Sequence, residues 1–174
     1  MSTLENKTIA ILSTNNFEDS ELTSPRDAVH EAGAATVVVS TESGSIEGKN
    51  GTEVSVDLTT SEANAADYDA LLLPGGTSNA DQIRTDEAAV KLVREFTQAG
   101  KPVGVICHGG WILTDAEAVS GVRMTSYPSL KTDLSNAGAT WVDEEVVVDK
   151  RIVSSRTPDD LPAFNKAIIE EFAK

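Results

Sequence analysis

The chain has 174 residues, 40% of them hydrophobic and 5% aromatic, with 28 acidic against 14 basic side chains and a net charge of −14. That length supports one full core, so residues 1–174 are expected to form a single domain. The charge disfavours nucleic acid and anionic membrane as partners, and the single cysteine excludes an intrachain disulfide and a Cys-based zinc site.

The beginning of the sequence has no basic segment followed by a long apolar run, and no stretch approaches the ~20 apolar residues of a membrane span. With one cysteine, this fits a reducing cytoplasm. The acids are dispersed along the chain rather than gathered in a tail, as on a protein adapted to high salt, where screening removes self-repulsion.

Thr8–Ser13 is an apolar first strand, and 14–19 the loop after it. The pattern predicts a helix over Glu21–Ala32, with Ser20 as cap and Gly33 as stop. Thr36–Ser40 is β-branched and reads as a strand; 42–50 is turn-rich, and Glu53–Asp57 alternates like an edge strand or hairpin. Tyr68–Leu73 is a buried strand ended by Pro74-Gly75-Gly76. Apolar residues at Ala89, Val90, Leu92, Val93 and Phe96 give Asp86–Ala99 a helical period.

A strand from Val103 ends at Cys107-His108-Gly109-Gly110, and a helix resumes at Trp111. Short extended pieces follow over 120–127, then a helix over Leu130–Ala137. Ala139–Val142, Glu145–Val148 and Ile152–Ser155 are late strands, the last two joined by a turn at 149–151. A terminal helix runs to about Phe172. Strands alternating with helices predict an α/β fold with a mainly parallel sheet covered on both faces.

In such sheets ligands sit beyond the carboxyl ends of the strands, where 14–19, Pro74-Gly75-Gly76 and Cys107-His108 all fall. A nucleophilic side chain at a strand-to-helix corner is a nucleophile elbow. The N–H groups opening the next helix favour thiolate at such a corner, although a lone cysteine ending an apolar strand also suits inert packing. Gly109 supplies the small residue an elbow needs on one side, whereas Val105 is bulky on the other. Glu18 is a proton-shuttle candidate or a solvated loop acid; His108 is a base, an acid or a stabiliser of the thiolate. Gly75 and Gly76 suit an oxyanion hole or a tight βα turn, and no phosphate loop follows them. His30 reads as a surface residue, and no metal-ligand spacing is present. Tyr127 and Arg156 lie in loops where they could line a pocket.

Together these pieces resemble the DJ-1/PfpI family. The resemblance rests on 17–22 (FEDSEL), 72–76 (LLPGG), 105–109 (VICHG), 125–128 (TSYP), 136–143 (NAGATWVD) and 153–158 (VSSRTP), in order along nearly the whole chain. The archaeal intracellular protease-like branch, with His after the Cys, is the nearest in pattern. The resemblance implies a flavodoxin-like three-layer sandwich, a reactive Cys107 at a strained elbow, Glu18 touching its sulfur, and an oxyanion hole of Gly76 and His108 N–H groups. It also implies a homodimer or dimer-built hexamer in which an acid from a neighbouring subunit completes a triad; the nearest counterpart here is Asp81. Gly110 stands where that branch has Pro.

The expected activity is cofactor-independent and needs no metal: glyoxal or methylglyoxal converted to a hydroxy acid, or early glycation adducts cleaved. A PfpI-type cysteine peptidase acting on peptides is the alternative enzyme. A non-enzymatic alternative is a redox sensor or chaperone whose thiolate is oxidised beside Glu18.

Overall fold

The structure is a computed structural model that describes residues 3–174. Its strands are β1 (Thr8–Leu12), β2 (Ala35–Ser40), β3 (Gly44–Glu47), β4 (Glu53–Val56), β5 (Leu58–Thr59), β6 (Ala70–Leu73), β7 (Val103–Ile106), β8 (Arg123–Met124), β9 (Thr140–Trp141), β10 (Val147–Asp149) and β11 (Ile152–Ser155). The helices are α1 (Asp19–Glu31), α2 (Thr77–Ile83), α3 (Glu87–Gln98), α4 (Trp111–Asp115), α5 (Lys131–Asn136) and α6 (Leu161–Phe172).

Seven strands form one sheet in the order β10-β11-β7-β6-β1-β2-β5, parallel except for β10. Side chains alternate across it as the strand period requires. Ala10, Leu12, Leu71, Leu73, Val103 and Val105 join Leu92, Val93 and Phe96 of α3 and Ile112 and Leu113 of α4 in one core. Ile9, Ile11, Leu72 and Ile106 join Leu22 and Val29 of α1 and Phe164, Ile168 and Phe172 of α6 in the other. The result is the expected three-layer α/β sandwich.

Three local outcomes refine the sequence reading. β10 and β11 are an antiparallel hairpin whose two connecting residues, Lys150 and Arg151, both have positive φ (48° and 67°), the geometry a tight two-residue hairpin needs. Glu53–Val56 pairs with Gly44–Glu47 as a separate hairpin, outside the main sheet. α2 has no clear signal in the sequence: Thr77–Ile83 carries little apolar periodicity, and it is fastened instead by buried Asn79. The Asn79 amide accepts from Thr14 N–H (2.7 Å) and donates to the Pro74 and Gly75 carbonyls (3.2 and 2.9 Å).

The site follows from strand order. The chain leaves β1 toward β2 on one side, and β6 returns on the other, so the connections diverge at β1/β6 and open a crevice at their carboxyl ends. β7 lies next to β6. The three loops singled out in the sequence therefore meet at one edge.

Candidate active site

Cys107 stands at the corner between β7 and α4 with φ 60°, a left-handed conformation that costs a non-glycine residue roughly 1–2 kcal/mol. A 3-10 turn over Cys107–Gly110 links strand to helix. The glycines around it are there for space. A Cβ on Gly109 would sit 2.5 Å from the Leu73 carbonyl oxygen, and one on Gly75 would collide with the Glu21 carboxyl and the Cys107 Cβ. Gly76 has φ 92°, and its Cβ position is 2.5 Å from the Asn16 carbonyl oxygen. Gly104 serves packing: its Cβ would meet Ile168, Leu72 and Phe164, so its absence lets α6 lie close on the sheet.

Gly110 differs from these. Its φ of −72° and ψ of −13° suit any L-residue, and a Cβ there would meet only ordinary contacts at 3.8–3.9 Å. Gly110→Ala is expected to stabilise the protein by about 0.4–1 kcal/mol, by reducing the freedom of the unfolded chain. Urea unfolding of the two proteins checks it; a lower midpoint for the variant would contradict the open geometry.

The Gly76 and His108 backbone N–H groups lie beside the Cys107 sulfur and pull its pKa down. The carboxyl packed beside Cys107 is Glu21, which crowds the same Gly75 Cβ position as the Cys107 Cβ. Glu21 is 2% exposed, its Oε1 accepts from Gly75 N–H at 3.0 Å, and its Oε2 is buried without a hydrogen-bond partner. Burial, reinforced by the nearby Glu18 charge, raises its pKa to about 8. Oε2, having no donor, is the oxygen suited to carry the proton.

Glu18, expected against the sulfur, caps α1 one turn earlier and forms an ion pair with Lys49 at the mouth of the cavity. The register explains the exchange. α1 begins at Asp19 rather than Glu21, so Ser20 falls inside the first turn and Glu21 heads the buried stripe continued by Pro25 and Val29.

Burial also governs the thiol. It pushes the Cys107 pKa up, to about 12, with the Glu21 charge adding to it, against the pull of the two N–H groups. When Glu21 is protonated its repulsion disappears and it becomes a donor to sulfur, so a proton on Glu21 favours thiolate on Cys107.

His108 is turned toward the cysteine despite being its chain neighbour. Nδ1 lies 3.3 Å from Sγ, and Nε2 faces Ser129 Oγ (3.1 Å) and Thr77 Oγ1 (3.5 Å). The ring stacks on Tyr127 at 4.6 Å between centroids and meets the edge of Trp111. Burial, then the Lys49 charge, lower its pKa, which keeps the imidazole neutral.

The cavity over the sulfur measures about 370 Å³ and is walled by Glu18, Glu21, Lys49, Gly76, Thr77, His108, Tyr127, Thr157 and Pro158. Arg156 does not line it. Its guanidinium donates to Asp160 (2.9 and 3.0 Å) and Asp143 (2.9 Å), a clamp on the segment that carries Thr157 and Pro158. Asp81 is exposed on α2, outside the cavity. Among the described residues no cluster of His, Cys, Asp and Glu is placed to hold a metal. No helix among them is long and apolar enough to cross a membrane.

Residues 7–171 match the family model described as DJ-1/PfpI family. The chain belongs to the DJ-1/PfpI family. Among its relatives, Protein/nucleic acid deglycase 2 of Escherichia coli is 46% identical over 163 residues, covering 92% of this chain and 94% of that protein. Deglycase PfpI of Pyrococcus furiosus is 44% identical over 162 residues, 93% and 97% of the two chains. The crystal structure of Drosophila melanogaster DJ-1beta superposes with a TM-score of 0.88 at 26% identity, covering 96% of this chain and 90% of that one. Within this DJ-1/PfpI fold, sequence reasoning missed Glu21, Lys49, Thr77 and Ser129 as parts of the site. Only Glu21 had a local signal, its place on the apolar stripe of α1.

Proposed function

We propose that the protein is a cofactor-independent cysteine enzyme that converts small 2-oxoaldehydes to 2-hydroxy acids, and that it relieves early glycation adducts by the same chemistry. The observation that carries this reading is the convergence of two backbone N–H groups and a buried carboxyl on one strained cysteine. The deglycase names of the two relatives support it.

Thiolate Cys107 adds to the aldehyde carbon; the S–C bond forms, and the carbonyl π pair moves to oxygen, where the Gly76 and His108 N–H groups receive the charge. A base removes the proton from that carbon to give an enediol, and the proton is returned to the neighbouring carbon. Glu21 and His108 are the two groups beside the sulfur able to move it. The hemithioacetal carbon has then become a thioester. Water cleaves the S–C bond, releasing the hydroxy acid and restoring the thiol. Free dicarbonyl drained in this way pulls reversible adducts apart.

The test is lactate release from methylglyoxal by the wild-type protein without glutathione or added metal, run beside casein hydrolysis. Lactate formation at a rate proportional to enzyme is expected. Casein cleavage without lactate would replace this reading with a peptidase using the same nucleophile.

A further inference from the structure

The turn between β3 and β4 is held in place more firmly than its exposure suggests. Asp19 Oδ1 accepts from Asn50 N–H and Oδ2 from Thr52 N–H, both at 3.0 Å, and Lys49 N–H donates to the Phe17 carbonyl at 3.0 Å. A Cβ on Gly48 would run into the Asp19 carboxyl. The hairpin tip is thus tied to the start of α1, and it carries Lys49 to the rim of the cavity over Cys107.

Among the described residues, Lys49 is the only permanent cation lining that cavity. The other titratable groups lining the cavity are Glu18, Glu21, Cys107, His108 and Tyr127. Its partner Glu18 is itself a cavity residue, with an 18% exposed side chain, whereas the lysine side chain is 52% exposed. A carboxylate ligand inside the cavity can take the place of Glu18 at the ammonium. In a chain of net charge −14, this cation offsets a field that otherwise repels anions.

We propose that Lys49 is an anion-recognition residue, held in reserve by Glu18, that gives the cavity its selectivity for carboxylate-bearing carbonyl compounds and hydroxy acids. Resting on the 2-oxoaldehyde reading, this identifies the product carboxylate as the group Lys49 meets before release. Lys49 acts on specificity; the bond changes stay with Cys107.

Alkylation of Cys107 tests it without relying on turnover. The sulfur displaces iodide from iodoacetate or iodoacetamide: an S–C bond forms, the C–I bond breaks, and the thiol proton passes to buffer. Both reagents meet the same thiolate, so the ratio of their rates cancels any change in thiol pKa and reports the preference for a carboxylate. Relative to wild type, the iodoacetate-to-iodoacetamide ratio is expected to fall about 10-fold in Lys49→Met and stay near wild type in Lys49→Arg. It is expected to rise roughly 3-fold in Glu18→Gln, where the competing carboxylate is gone. An unchanged ratio in Lys49→Met, or a fall in Glu18→Gln, overturns the proposal. Loss of methylglyoxal turnover as a property of the wild type would instead defeat the catalytic reading and leave this ratio unaffected.

Discussion

Glu21→Gln is expected to cost roughly 10²–10⁴-fold in kcat/KM for methylglyoxal while making the protein more stable near neutral pH and above. Both effects come from the same buried carboxyl. Folding moves its pKa from an ordinary 4.5 to about 8, so between those values the folded protein holds a proton that the unfolded chain has lost. The stability associated with that proton is fully present below pH 4.5 and is lost as pH rises through 8. Glutamine keeps the acceptor for Gly75 N–H and never ionises. The variant's advantage is therefore near zero at pH 4.5 and grows to a ceiling on the order of 5 kcal/mol above pH 8. Urea unfolding at pH 5, 7 and 9 measures it. A wild type as stable at pH 9 as at pH 5, relative to the variant, would show that Glu21 titrates like an exposed acid.

Turnover by wild type is expected to fall above pH 8, as Glu21 loses the proton that supports the thiolate and repels the sulfur instead. Since the same group is absent in Glu21→Gln, that alkaline limb should vanish from the residual activity of the variant.

Cys107→Ala and Cys107→Gly are expected to reduce hydroxy-acid formation to the background rate, a loss of at least about 10⁴-fold, because no other thiol exists in the chain. Their stabilities should differ in an unusual direction. In most places glycine is less stable than alanine by about 0.5–1 kcal/mol. At φ 60° the sign reverses, and the glycine variant should be the more stable by about 1 kcal/mol. Equal or lower stability of Cys107→Gly would mean that the elbow relaxes to an ordinary conformation once the sulfur is removed. Residual turnover in either variant would place the nucleophile elsewhere.

The legible parts of this protein were those encoded locally. Apolar runs at Thr8–Leu12, Ala70–Leu73 and Val103–Ile106 announce buried strands, and the abrupt change to Cys107-His108-Gly109 announces the corner. Parallel order then brings the three loops to one edge. What escaped local reading depended on contacts across the chain. Glu18 and Glu21 are three residues apart in one acidic stretch, and only the start of α1 at Asp19 decides which one turns inward. Lys49 sits in a turn-rich segment with no pattern of its own; its position comes from Asp19, thirty residues earlier. Arg156 looked available for a ligand because its two aspartates, Asp143 and Asp160, approach from either side in sequence.

The first turn of α1 gives the segment after β1 a property unlike that of most surface connections. Glu18 holds the lysine at the rim, Asp19 fastens the hairpin tip, and Glu21 reaches the sulfur. Each added or deleted residue rotates a helix face by about 100°. A change of one residue in the length of 14–18 would therefore displace all three carboxyls together. Where loops ordinarily absorb insertions, this one is a ruler whose length sets where the three carboxyls fall.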